Sequence, residues 1–242
     1  MNNYQKFPSL RKYVRTRTDK NNSKLEEVGT KWMKVLTDNR LNYEIDWLGV
    51  PIIQTPEDLV LMQELIFKVQ PDFIIETGIA HGGGLIYYAS LMELLGKGKV
   101  IGIDIDIREH NRKVIEAHPL AKRIEMIEGS STSEEIIKKV RSKIPDNSQV
   151  IVCLDSDHTK AHVLKELELY KTFIIPGGYF VVFDTVISKL IEPGNAEEHY
   201  TDNSPREAVD EFLKKDKCFE IDKSFNKLFV SCSPDGYLKR IR

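Results

Sequence analysis

The chain predicts an α/β fold: a mostly parallel, seven-stranded sheet with helices on both faces and an antiparallel strand pair at the C-terminal end. Three observations predict it. Short apolar runs alternate with helical stretches along most of the chain, the order that builds a parallel sheet through crossover connections. A glycine-rich turn follows the first strand of that alternation. Acidic residues stand at the ends of several strands, where open α/β sheets bind their ligands.

The elements follow in order. Within residues 1–41, Leu25, Val28, Trp32, Val35 and Leu36 recur at helical spacing. This predicts one amphipathic helix, either a cap packed on the domain or an arm at a subunit or substrate interface. Residues 42–242 form the main domain. Asn42 to Thr55 reads as extended, because Trp47, Gly49 and Pro51 interrupt any helical pattern. Thr55-Pro56-Glu57-Asp58 is a helix start: a capping hydroxyl, proline at the first position and acids in the first turn. That helix should reach about Val69. Strands are expected at Phe73–Glu76, Val100–Ile105, Ile124–Ile127, Val150–Leu154 and Tyr179–Asp184. Helices are expected over Gly83 to Leu95, from about Glu109, over Ser133 to Arg141, Lys160 to Tyr170 and Pro205 to Lys214. Phe219–Asp222 and Leu228–Ser231 read as the closing antiparallel pair.

Composition narrows the function classes. The 242 residues carry a formal net charge of −2, which gives no electrostatic reason to expect nucleic acid or an anionic membrane as partner. The longest apolar runs (Phe73–Ile75, Val150–Leu154, Gly178–Phe183) are strand length, far below the roughly 20 residues of a spanning helix. The N-terminus is basic (Lys6, Arg11, Lys12, Arg15, Arg17) and lacks the apolar stretch of a secretory signal. Cys153, Cys218 and Cys232 are odd in number and show no CxxC spacing, which argues against a disulfide framework or structural zinc. A cytoplasmic protein is expected.

Three strand-end motifs carry the chemistry. Ile75-Glu76-Thr77-Gly78-Ile79-Ala80-His81-Gly82-Gly83-Gly84 opens a helix straight after a strand. Its glycines permit a sharp turn and close approach of a ligand to backbone. It is not GxGxxG, and an acid at the strand end suits an amine or cation better than a pyrophosphate. Gly102-Ile103-Asp104-Ile105-Asp106 places Asp104 where nucleotide-binding α/β folds grip ribose hydroxyls, with Asp106 in the loop beyond or capping the next helix. Gly129-Ser130-Ser131, after the third strand, is small and polar enough to edge an adenine ring. Leu154-Asp155-Ser156-Asp157-His158-Thr159-Lys160 and Phe183-Asp184-Thr185 end neighbouring strands. They bring Asp155 or Asp157 near Asp184, and converging carboxylates repel unless a cation such as Mg²⁺ lies between them. Such an ion lowers the pKa of a bound hydroxyl. His158 and Lys160 are the nearby candidates for a general base. Asp157 also suits a helix cap. His110, His118 and His162 fall on helical stretches and read as surface or packing residues. His81 reads as packing near the ligand, and His199 lies in a polar loop placed to fold over the site.

In order along the chain, E-T-G-I-A-H-G-G-G, V-I-G-I-D-I-D-I-R, E-G-S-S, L-D-S-D-H, P-G-G-Y-F-V-V-F-D-T and the closing S-P-D-G-Y-L-K-R resemble the family named for cephalosporin hydroxylase and rhamnosyl O-methyltransferase. The resemblance covers roughly residues 42–242. It implies a Rossmann-like methyltransferase fold that binds S-adenosylmethionine and transfers its methyl group to a hydroxyl of a sugar or other small polyhydroxyl acceptor. It also implies residue roles. Glu76, Thr77, Gly78, Ala80, Gly82 and Gly83 would line the methionine side of the cofactor. Asp104 would hold the ribose, and Ser130 and Ser131 would flank the adenine. Asp155 or Asp157, with Asp184, would supply the metal ligands, and Asp155 would also stand beside the cofactor. One departure bears on the metal: the family usually carries Glu-Asp at the end of the fifth strand, and this chain has Phe183-Asp184.

Two rival readings make different predictions. A nucleotide-dependent oxidoreductase or hydroxylase-type enzyme shares the sheet, but the GxGxxG pattern is missing. An iron facial triad would need two histidines, of which only His158 and His162 near Asp155 are candidates. A scaffold that keeps the cofactor pocket but has lost its chemistry is favoured by Phe183. The helix within residues 1–41 leaves room for a homo-oligomer.

Overall fold

The computed structural model describes residues 8, 10, 12–16 and 22–242. Lys6, Arg11 and Arg17 of the basic N-terminus lie outside them. In chain order the elements are α1 (Asn22–Asp38), β1 (Asp46–Trp47), β2 (Val50–Pro51), α2 (Pro56–Val69), β3 (Phe73–Thr77), α3 (Gly83–Leu95), β4 (Lys99–Asp104), α4 (Glu109–Ala117), β5 (Ile124–Glu128), α5 (Glu134–Arg141), β6 (Val150–Leu154), α6 (Lys160–Tyr170), β7 (Tyr179–Val182), α7 (Pro205–Lys215), β8 (Phe219–Ile221) and β9 (Tyr237–Arg240).

Seven strands form one sheet in the order β5-β4-β3-β6-β7-β9-β8. β5, β4, β3, β6 and β7 are parallel, and β9 runs antiparallel between β7 and β8. Period-two alternation divides the apolar residues between two faces. Ile74, Ile151, Cys153, Val181 and Phe183 pack under α2 and α3. Ile75, Val152, Leu154, Phe180 and Val182 pack under α5, α6 and α7. The start of α2 forms as expected: Asp58 N–H donates to Thr55 Oγ1, and Pro56 is the first helical residue.

Three expectations are corrected. The closing strand is Tyr237–Arg240, not Leu228–Ser231. Within the latter stretch Phe229 takes a left-handed φ of 60°, and directly after it Cys232 N–H donates to Asp58 Oδ2 at 2.7 Å instead of to a neighbouring strand. A strand needs a partner along its length, and only the segment after Gly236 has one. Asn42 to Thr55 is not simply extended. It holds a turn of 3₁₀ helix at Leu41–Glu44 and a small antiparallel pair, β1 with β2. The helix α1 exists, but its buried face is Gly29, Met33 and Leu36, while Val28, Trp32 and Val35 are exposed. Gly29 sets this rotation. A Cβ there would lie 1.9 Å from the Phe229 carbonyl oxygen, so α1 seats on that carbonyl through its one side-chain-free position. Among the described residues no helix is long and apolar enough to cross a membrane.

Candidate active site

β3 lies between β4 and β6, so the chain leaves its carboxyl end in opposite directions and a crevice opens there. The first glycine-rich turn shapes it. Gly78 has φ +89°, and a Cβ on it would lie 2.0 Å from the Asp155 carbonyl oxygen, so the ends of β3 and β6 touch only because the residue is glycine. Gly83 does the same for the segment before α2: its Cβ would lie 2.2 Å from the Pro51 carbonyl oxygen. Gly84 leaves room for the Glu76 carboxylate, 2.5 Å from where a Cβ would stand. Gly82 turns with φ +95° against Ile115.

A cavity of about 1000 Å³ fills the crevice, within the range of small-molecule sites. Of the residues expected from the sequence, Glu76, Gly78, Ala80, Gly83, Asp155, His158 and Asp184 line it. Thr77, Gly82, Asp104, Ser130, Ser131, Asp157 and Lys160 do not. Thr77 is buried behind the wall. Asp104 holds the turn from below, its Oδ2 accepting from Ile79 N–H at 2.7 Å and Ala80 N–H at 3.3 Å. Ser130 Oγ lies 3.2 Å from Thr132 Oγ1, and Ser131 Oγ lies 3.2 Å from His162 Nε2. Asp157 Oδ1 accepts from Thr159 N–H at 2.8 Å, an Asx turn just ahead of α6, whose N-cap is Thr159 rather than Asp157. Lys160 Nζ pairs with Glu211 at 3.0 Å on α7. His81 and His199 are in the wall.

Asp155, His158 and Asp184 converge, each offering one ligand atom, all within 4.8 Å of one another. His158 Nε2 is 3.1 Å from Asp184 Oδ2. Asp184 reaches this position through a left-handed kink, φ 57°, directly after β7. Phe183, by contrast, is 2% exposed and belongs to the core under α2 and α3, so its side chain has no place at the site. His162 faces the other way, its Nε2 3.3 Å from the buried Glu166 carboxylate, so the two histidines of an iron triad do not converge. Burial, then the nearby Asp184 and Glu76 charges, push the Asp155 carboxyl well above the ordinary carboxylate range. Burial pushes Glu76 up to about 8, with the neighbouring Asp104 charge adding to the effect and a Tyr88 hydrogen bond opposing it. Acids held in this state await a cation. The residues therefore fit both groups the sequence implies: a glycine cradle with a buried acid for an amino-acid-bearing nucleotide, and the Asp155 and Asp184 carboxylates, with His158 beside them, for a divalent ion.

The sequence reading missed two parts of this site. Gln54 lines the cavity and donates from Nε2 to Asp155 Oδ2 at 3.0 Å. Met33, Leu36 and Arg40 bring the N-terminal helix and the turn after it into the wall. Gln54 had a visible signal, a polar residue just ahead of the Thr55-Pro56 helix start and destined for the strand-end side. The α1 wall had none, because its orientation depends on Gly29 meeting Phe229 across the fold.

The crevice, the glycine turn and the acid cluster define a Rossmann-like α/β enzyme built around a nucleotide-type cofactor. The family described as Rhamnosyl O-methyltransferase/CmcI matches residues 39–241, and the chain belongs to it. The family is described by O-methyl transfer, and the chain is a methyltransferase by that membership. A rhamnosyl O-methyltransferase of Mycobacterium bovis is 28% identical over 202 residues, covering 80% of this chain and 77% of its own. The Mycobacterium leprae rhamnosyl O-methyltransferase is 29% identical over 145 residues, 57% of this chain and 59% of its own. A solved structure of CmcI with Mg and S-adenosylmethionine superposes with a TM-score of 0.59 at 18% identity, covering 83% of this chain and 78% of that one, a likeness of fold.

Proposed function

We propose that the enzyme methylates a hydroxyl of a sugar, with Asp155 and Asp184 holding Mg²⁺ and His158 acting as general base. The observation that carries this reading is the convergence of Asp155, His158 and Asp184 in the wall of the cavity that also holds Glu76 and the glycine turn. The mycobacterial relatives named for rhamnosyl methylation support a sugar acceptor. Three unpaired cysteines support a reducing, cytoplasmic setting.

S-adenosylmethionine, when bound, supplies an electrophilic methyl group, and a divalent ion supplies positive charge that favours ionisation of the acceptor hydroxyl. The chain's own residues do the rest. Glu76, Gly78, Ala80 and Gly83 receive the methionine end. Asp104 keeps the turn in shape and offers a carboxylate to the ribose. Ile105, 75% exposed beside the turn that carries Ser130 and Ser131, gives the adenine ring an apolar surface. His158, with Nε2 3.1 Å from Asp184 Oδ2, takes the acceptor's proton on its ring. Lys160 is paired with Glu211 outside the cavity, so the base role falls to His158. Asp157 holds the turn ahead of α6 rather than the ion. Orientation of the two reactants within the enclosed cavity supplies much of the rate.

The test is titration calorimetry with S-adenosylmethionine, with and without Mg²⁺, followed by labelled-methyl transfer to rhamnosides and other sugars. The expected result is cofactor binding, transfer to a sugar, and loss of the Mg²⁺ response in Asp184→Asn. His158→Ala should lower kcat by about 10²- to 10⁴-fold at unchanged cofactor affinity. A wild-type protein that binds the cofactor but methylates only amines or carboxylates would sink the sugar reading.

A further inference from the structure

Gln54 is 8% exposed and lines the cavity, and its two ends are used unequally. Nε2 donates to Asp155 Oδ2 at 3.0 Å, while Oε1 is buried with no hydrogen-bond partner. Glu76, 3% exposed in the same wall, has a buried Oε2 that is also unpartnered. A buried acceptor without a donor is unfavourable, and native structures keep few of them. Two in one cavity point to a ligand that brings donors.

The opening of α3 brings their segments together. Pro51 and Ile52, just ahead of Gln54, lie against Gly83, and the Glu76 carboxylate lies against Gly84. Both Gln54 and Glu76 line the cavity, on the side of the crevice that the cofactor reading gives to the methionine end. The bond from Nε2 to Asp155 Oδ2 fixes the orientation of the amide and leaves Oε1 as the end without a partner. A divalent ion would be a second claimant for Oε1, but the Asp155, His158 and Asp184 cluster gathers that charge on the β6 and β7 side.

We infer that Gln54 Oε1, together with Glu76, binds the α-ammonium of S-adenosylmethionine. An ammonium carries three N–H donors and no acceptor, the complement of two unpaired oxygens. Gln54 then acts at both ends. It accepts from the cofactor through Oε1 and holds Asp155 for the metal and acceptor through Nε2. The inference rests on the S-adenosylmethionine reading of the cavity.

The test compares two ligands that share adenine, ribose and sulfur. S-adenosylhomocysteine has the α-ammonium, and 5′-methylthioadenosine lacks the amino-acid end. Calorimetry on wild type should show a clear preference for S-adenosylhomocysteine. Gln54→Met should weaken S-adenosylhomocysteine by about 10- to 100-fold, the worth of a hydrogen bond to a charged group. Its affinity for 5′-methylthioadenosine should be unchanged, which also shows that the variant is folded. Gln54→Glu keeps an oxygen at the same reach and should keep the wild-type preference, so the assignment remains testable if the methionine variant does not fold. Equal weakening of both ligands, or an unchanged preference in Gln54→Met, overturns the assignment. Wild-type protein that binds neither ligand overturns the cofactor reading and this assignment with it.

Discussion

Glu76 shows how a single residue couples the cavity to pH. It stands one residue before the end of β3, and burial pushes its carboxyl up to about 8 from an ordinary 4.5. The folded chain thus holds this proton more tightly than the unfolded chain does. The resulting stability is complete below about 4.5 and is lost as pH rises through about 8. An ammonium placed against Glu76 reverses the preference, because a cation favours the carboxylate. At pH 7 the protonated Glu76 should therefore release about one proton when S-adenosylhomocysteine binds. Affinity should rise as pH approaches about 8 from below. Calorimetry in buffers of different ionisation enthalpy measures the proton directly, and Glu76→Gln should abolish the release. A proton taken up, or none exchanged by wild type, would contradict this role. At the same scale, Asp155 and Asp157 show how two positions in the loop after β6 separate a cavity residue from a turn residue. Asp155 is bonded to Gln54 in the cavity, while Asp157, two residues on, bonds the backbone ahead of α6.

At the scale of elements, the site depends on ties between segments far apart in sequence. Asp58, in the first turn of α2, is buried and accepts from Thr55 Oγ1 at 2.7 Å, Ser231 Oγ at 2.5 Å and Cys232 N–H at 2.7 Å. Its place near a helix N-terminus favours the negative form, although burial raises its pKa. The bonds to Ser231 and Cys232 hold the C-terminal wall, where Cys232 lines the cavity, against the helix that follows Gln54. Asp58→Ala would leave these donors unpaired and should destabilise the protein by about 3 kcal/mol, at about 1–3 kcal/mol per stranded buried group. Urea unfolding checks it, and a loss below about 1 kcal/mol would show that the wall is held by packing alone. The same tie explains why Leu228–Ser231 is not a strand, since its neighbouring backbone bonds a carboxylate instead of a ladder. The α1 helix depends on a comparable tie, Gly29 against the Phe229 carbonyl, and the apolar spacing of Val28, Trp32 and Val35 gave no warning that these residues would face outward.

For the whole molecule, the strand order β5-β4-β3-β6-β7-β9-β8 explains where the cavity lies. The reversal of direction at β3 parts the loops after β3 and β6, and α1 with the loop around His199 closes the crevice from above. The cavity is bordered by segments from both ends of the chain, so its ligand acts on global stability rather than on one loop. S-adenosylhomocysteine at about 100 times its Kd should stabilise the fold by about 2.7 kcal/mol. For a chain of this size that raises Tm by about 5–10 °C. Scanning calorimetry reads the shift, and a melting transition in which α1 or the C-terminal wall separates before the rest would show that the cavity is not one cooperative unit.

By itself the sequence determined the alternation of strands and helices, the glycine turn after β3 and the acids at strand ends. These are local properties: period-two apolar runs, helix starts such as Thr55-Pro56 and glycines with positive φ follow from residues within a few positions of one another. The family was legible for the same reason, since its motifs are strand-end blocks that keep their order. Tertiary structure alone decided which side chains meet. It chose Tyr237–Arg240 as the central antiparallel strand, joined His158 to Asp184 across two strand ends, turned Phe183 into the core and brought Gln54 onto Asp155. Each of these depends on strand phase and on contacts between residues up to about a hundred positions apart. A shift of one residue in a strand reverses the face a side chain occupies, and nothing local encodes the partner it will find there.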